Sequence, residues 1–242
     1  MDAWFLLPTL ALMAGLFALA PLGAQVLRRG VVFIDLAVAQ AAAAAVLWLS
    51  AFVHHEDPWL MQAMAATGSV AATLVVAGLA RRWPQQREAL IGLLYVAGAA
   101  LALLGARLHP HGKDHLMSLL AADVLWADSF QVGLLLACAL GVWAMAGRDQ
   151  VRLSQDRYFY LSFAVVTSVA VPALGLFLVF TCLIAPALWM ARGRSVGFAL
   201  TGALTAGLGG LAASWGLDVP SGALMALTLS AFGVASLLVS AK

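Results

Sequence analysis

Eight apolar runs divide this chain: Trp4–Leu27, Val31–Val53, Trp59–Ala80, Ala89–Ala106, Phe130–Gly147, Tyr158–Met190, Ser195–Leu217 and Ser221–Ser240. A run of about 18 or more apolar residues, rising ~1.5 Å per residue, is long enough to cross a hydrocarbon core of ~30 Å. With 64% hydrophobic residues, 10% charged residues and a mean hydropathy of +0.98, the chain has too little polar surface for a soluble globule, in which about 25% of residues are charged. The expected fold class is therefore all-α, a polytopic membrane protein forming a single transmembrane domain over residues 1–242. The first run is not read as a signal peptide, because Met1-Asp2-Ala3 is acidic and the run exceeds the ~7–15 residues of a secretory apolar core. It is expected to persist as the first helix.

The charges between the runs set the orientation. Arg28 and Arg29 lie in the first connection, Arg81, Arg82 and Arg87 in the third, and Arg148, Arg152 and Arg157 in the fifth. The second connection, His54–Pro58, has no Lys or Arg. The positive-inside rule places connections one, three and five in the cytoplasm, the N-terminus outside, and the loops at 54–58 and 109–115 facing outward. Tyr158–Met190 breaks this alternation, since Arg157 and Arg192/Arg194 flank it with the same sign. With Pro172 and Pro186 inside it, the run reads as two short passes or as one pass and a re-entrant helix, giving eight or nine spans. Leu116–Ala127 is too short to span and reads as a re-entrant or interfacial helix near 116–127. A net charge of +2 is too small to imply nucleic acid. Cys138 and Cys182 lie far apart inside apolar runs and form no disulfide framework.

Three groups of residues invite a chemical reading. Asp35 is the only acid in the second run, and an ionisable side chain there costs about 2.5–3.5 kcal/mol on insertion scales. It reads either as a point on a translocation path or as an interfacial residue paired with Arg29, one turn away. Gln40 offers an amide on the same helix, but five residues turn it about 140° away from Asp35. His54 and His55, beside Glu56 and Asp57, and His109, His111 and His115, beside Asp114, place imidazoles and carboxylates in outward loops, ligands suited to first-row metals. His111 and His115 share a face if Lys113 onward is helical. Against metal capture stands the plainer reading of solvated polar loops. Catalytic patterns are absent: there is no HExxH and no GxSxG. There is also no phosphate loop, because Gly112-Lys113 is followed by Asp114. A membrane span delivering a ligand-rich loop suggests transport, with any nucleotide site on another chain.

Several separated segments resemble one family. EALIGLLYVAGAALALL followed by PHGKDHLMSLLAADVLWAD, VVFIDLAVAQAA in the second run, PALGLFLVFTCLIAPALWMARG and GLDVPSGALMALTL resemble, in order and over nearly the whole chain, the integral-membrane permease of the zinc/manganese/iron ABC importers (the ABC-3 family). The resemblance implies a pair of permeases around a central path in the bacterial cytoplasmic (inner) membrane. It also implies a cytoplasmic ABC ATPase on each and an extracytoplasmic metal-binding protein that delivers cargo. No permanent cofactor is implied, only a transported divalent metal. By analogy, the segment holding Ala185, Pro186, Arg192 and Arg194 would couple to the ATPase. Many members place an acid and a histidine at i and i+4 in the second span. The matching positions here are Leu36 and Gln40, and Asp35 falls one residue early.

The expected function is thus a non-enzymatic permease subunit of an ATP-driven importer for Zn, Mn or Fe. Asp35 and Gln40 would lie on its path and the histidines at its entry. The rivals are a stand-alone secondary transporter or channel, an intramembrane enzyme, and a structural subunit.

Overall fold

The computed structural model describes residues 5–53, 57–108, 124–148 and 153–238. The described residues are helical, without strands. In chain order the helices are α1 (Leu6–Arg29), α2 (Ile34–Phe52), α3 (Pro58–Arg82), α4 (Arg87–Ala106), α5 (Ser129–Arg148), α6 (Asp156–Leu174), α7 (Leu176–Ala191), α8 (Val196–Leu217) and α9 (Ser221–Ala235), with single 3₁₀ turns at Val124–Trp126 and Ser236–Leu238. Eight helices are long and apolar enough to cross a membrane, and α7 is a shorter apolar helix. The protein is a multi-pass all-α membrane protein, as its apolar runs require.

Local chemistry sets the helix ends. Helix α1 closes in a Schellman motif. Gly30 sits at φ 59°, its N–H donates to the Leu27 carbonyl, and the Val31 N–H reaches back to the Val26 carbonyl. Val26 and Val31 are both buried, giving the apolar contact that accompanies this cap. The Asp57 carboxylate caps α3 by accepting from the Trp59 N–H at 3.0 Å, and the Ser195 hydroxyl oxygen accepts from the Phe198 N–H at 3.2 Å to open α8. The long run 158–190 is cut at Gly175. Its N–H closes α6 on the Val171 carbonyl, its own carbonyl accepts the Val179 N–H of α7, and its φ of 77° is one that side chains resist.

That break decides the question left open by the flanking arginines. The C-terminal ends of α1 and α7 lie together, with Leu27 and Arg28 beside Met190 and Ala191. Helix α7 therefore runs in the same direction as α1, back to the side carrying Arg28 and Arg29. The run is two helices of opposite direction. Its second member spans only about 24 Å at ~1.5 Å per residue.

Helices α1, α2, α6 and α7 hold most of the buried side chains, including Leu12, Leu19, Ile34, Phe159, Phe163 and Leu178. The remaining helices cover them and turn residues such as Leu74, Leu93 and Leu140 outward, where lipid replaces water as the neighbour. Small residues set the spacing. A Cβ on Gly23 would overlap the Leu183 carbonyl oxygen of α7, and one on Gly98 of α4 would lie 3.1 Å from the Gln40 Cβ. Such close approach is how helices gain dispersion contact where no hydrophobic effect drives them together.

Charges at the cytoplasmic end, as the positive-inside rule assigns it, tie three helices. The Arg29 guanidinium donates to the Gln25 amide oxygen at 2.8 Å and to the Ser154 carbonyl at 2.6 Å. It faces the Asp156 carboxylate at 3.5 Å and lies 4.2 Å above the Phe159 ring. Arg81 of α3 reaches the other Asp156 oxygen at 3.9 Å. Arg29 thus belongs to Asp156, and of the two readings of Asp35 the pairing with Arg29 falls: the αL turn at Gly30 carries α2 away from the α1 terminus. The α1–α2 connection is held from α4. There the Glu88 carboxylate accepts from the Val32 N–H at 2.8 Å, and Arg87 lies over Gly30.

Candidate functional site

Asp35 occupies the first turn of α2 and is fully buried. Neither of its carboxylate oxygens has a side-chain partner among the described residues, and only the backbone N–H groups of Asp35 itself and Leu36 lie close to them, short of good hydrogen-bond geometry. A buried carboxyl normally recovers its lost hydration through partners, so an orphan of this kind is a candidate functional group. Above it on the same helix lie Ala39, Ala42, Ala43 and Val46, at i+4, i+7, i+8 and i+11, which is one face of an α-helix. These four residues line a cavity of about 230 Å³ whose other walls come from α3, α5 and α6. Asp35 therefore sits at the cytoplasmic end of the cavity-lining stripe, about 6 Å of helix rise below Ala39.

The cavity continues toward the outward side. A second space of about 280 Å³ shares Gln62 and Gln131 with it and is bounded by Trp59, Asp128, Phe130, Leu134 and Val169. At this mouth Trp59 and Phe130 meet edge to face, with ring centroids 4.9 Å apart. The sequence brings these parts together because α3 and α5 both begin, and α2 and α6 both end, on the side assigned outward. Alanine at three of the four cavity-facing positions of α2, Ala39, Ala42 and Ala43, leaves the room.

The polar groups of the inner cavity have a common bias. The Gln62 amide N–H donates to the Ser168 carbonyl at 3.0 Å, the Thr167 hydroxyl to the Phe163 carbonyl at 2.7 Å, and the Ser168 hydroxyl to the Val165 carbonyl at 2.8 Å. A carbonyl only accepts, so the two hydroxyls have committed their single protons to the backbone and retain oxygen lone pairs, while Gln62 has committed one of its two amide protons and retains its oxygen as an acceptor. Among the described residues no group of three or more His, Cys, Asp or Glu is placed to hold a metal ion.

The sequence candidates separate in space. Asp35 is on the cavity face. Gln40 is buried on another face of α2, against Gly98 of α4, and the helix period keeps the two apart. His54, His55, His109, His111 and His115 lie outside the described residues, as does 109–123 of the histidine loop and the segment after it. Ala185 and Pro186 are buried within α7, Ala185 against Gly233 of α9, whereas Arg192 and Arg194 follow its end, half-buried, with Arg194 5.6 Å above the Phe198 ring. Sequence reasoning missed Gln62, Gln131, Thr167 and Ser168. The two glutamines carried a signal, as amides in runs without charge, but only tertiary packing shows that they face one cavity.

No protein-family model and no curated protein matches the chain. Among solved structures, a chain of PsaBC from Streptococcus pneumoniae in complex with Fab is similar, with a TM-score of 0.76 and 17% identity over 99% of this chain and 93% of that one. At that identity the likeness shows the fold, and it extends over nearly the whole chain.

Proposed function

We propose that this chain is the integral-membrane permease subunit of an ATP-driven importer for divalent metal ions, of the zinc, manganese and iron class. The observation that carries the reading is the wholly buried Asp35, whose carboxylate has no side-chain partner among the described residues, beneath a cavity on one face of α2 that holds Gln62, Gln131, Thr167 and Ser168. A path needs a polar point that stays unsatisfied until cargo arrives, and a fold stabilised for its own sake would not keep one. The full-length likeness in fold to a chain of PsaBC and the family resemblance of the sequence support the same reading.

In this reading cargo handed over by an extracytoplasmic binding protein passes Trp59 and Asp128, occupies the cavity, and moves past Asp35 when the cytoplasmic end opens. Two copies of the chain act together in the bacterial inner membrane, and a separate cytoplasmic ATPase supplies the free energy. Nucleotide favours one arrangement only to the extent that it binds the two states differently. The Arg192–Arg194 end of α7, next to the Arg28 end of α1, is the surface offered to that ATPase.

The test is cellular content of manganese, iron, cobalt, nickel and zinc. Accumulation of one metal only when the chain and its ATPase are expressed together supports the importer and names the cargo. Accumulation with the chain alone overturns it in favour of a secondary transporter or channel, for which a single buried acid would be the coupling group.

A further inference from the structure

We propose that the inner cavity binds its divalent cation with the hydration shell intact, through oxygen acceptors facing the waters rather than by direct coordination. The inference rests on the importer reading and concerns the state of the cargo within it. Gln62, Thr167 and Ser168 each spend a proton on a backbone carbonyl and keep oxygen lone pairs, and Gln131 adds an amide. The waters around a cation present their O–H groups outward, so acceptors are the complement of a hydrated ion. Among the described residues that line it there is no carboxylate, imidazole or thiolate, and neutral amides and hydroxyls are poor compensation for the hydration that a divalent cation would lose on direct coordination.

Size agrees. The cavity measures about 230 Å³, against about 180 Å³ for a full octahedral shell at the ~30 Å³ that each water occupies in the liquid. Charge is supplied at longer range, from Asp128 at the mouth and from Asp35 at the foot of the α2 stripe. A retained shell is what makes such separation from the carboxylates tolerable, because the ion's water is not lost.

The experiment uses the full chain in lipid nanodiscs, with Mn²⁺ followed by electron paramagnetic resonance. Its bound waters are counted through ¹⁷O hyperfine coupling. The competitor is hexamminecobalt(III), an octahedral cation whose ligands do not exchange and which can bind only through its shell. The expected result is Mn²⁺ bound with its complete water shell and displaced by hexamminecobalt(III). Thr167→Val and Gln131→Leu should each weaken both cations by about tenfold, the loss of one hydrogen bond to a charged group. These variants leave the Gln62–Ser168 bond in place, and unchanged thermal unfolding verifies that they fold. Mn²⁺ bound with fewer waters and indifferent to hexamminecobalt(III) would overturn the hydrated-cargo inference while leaving the importer standing. An absence of Mn²⁺ binding to the wild-type chain would overturn it as well. The importer reading is judged separately, by ATPase-dependent metal accumulation in cells.

Discussion

Replacing Asp35 separates function from stability in a way that few substitutions do. The carboxyl is fully buried and both oxygens lack side-chain partners among the described residues. A buried unsatisfied polar group costs about 1–3 kcal/mol. Its place in the first turn of α2 returns part of that, about 0.3–1 kcal/mol, through the helix dipole. Asp35→Ala should therefore stabilise the apo protein by roughly 1–2 kcal/mol. For a chain of this size that corresponds to a rise of about 2–8 °C in Tm. The same variant, and the near-isosteric Asp35→Asn, should lose ATPase-dependent metal uptake. Thermal unfolding of detergent-purified protein by fluorescence-detected size exclusion reads the first effect, and metal content at matched expression reads the second. A Tm that falls by several degrees would refute the reasoning, because it would mean that the carboxylate has a structural partner. Normal uptake by either variant would remove Asp35 from the path.

Three further outcomes follow from the packing. Gly23→Ala forces a Cβ into the Leu183 carbonyl and should destabilise by about 1–3 kcal/mol, whereas Gly92→Ala, which meets nothing within 4 Å, should stabilise by up to about 1 kcal/mol; paired thermal unfolding of the two variants checks the contrast. Arg29→Ala abandons a guanidinium that is 14% exposed and holds Gln25, Ser154 and Asp156, and should cost about 2–3 kcal/mol. Arg81→Ala, at the exposed and longer contact, should stay within about 0.5 kcal/mol, again by thermal unfolding. Ala39→Leu narrows the cavity just above Asp35 and should abolish uptake while costing no more than the ~1–3 kcal/mol of an overpacked site, as measured by metal accumulation and unfolding together.

The sequence was most informative where physics is local or set by the solvent. A charge-free run in a bilayer must satisfy its own backbone and so must be helical, which made nearly every span legible with boundaries close to those observed. The arginine pattern supplied a direction for the helices up to the fifth connection. Composition also singled out Asp35, because one acid in an apolar run is visible without coordinates. The break in the run 158–190 was legible only as an alternative, since Pro172 and Pro186 mark candidate breaks and a helix interior tolerates proline when neighbours cover the freed carbonyl. The structure keeps both prolines inside helices and turns at Gly175.

What tertiary structure alone decided is which residues meet. Sequence left Asp35 as either a partner of Arg29 or a point on a path. The two side chains are near in sequence, but the αL turn at Gly30 and the hydrogen bond from Val32 to Glu88 send α2 off in a new direction. Arg29 is then satisfied by Asp156, 127 positions along the chain. Likewise Gln62, Gln131, Thr167 and Ser168 come from three separate helices, and no periodicity within one run reveals a cavity that these share with α2. Helix formation is written into each segment because its hydrogen bonds close within four residues. The cavity and the orphaned carboxyl exist only because small residues let particular helices approach, and that is a property of the whole assembly of contacts.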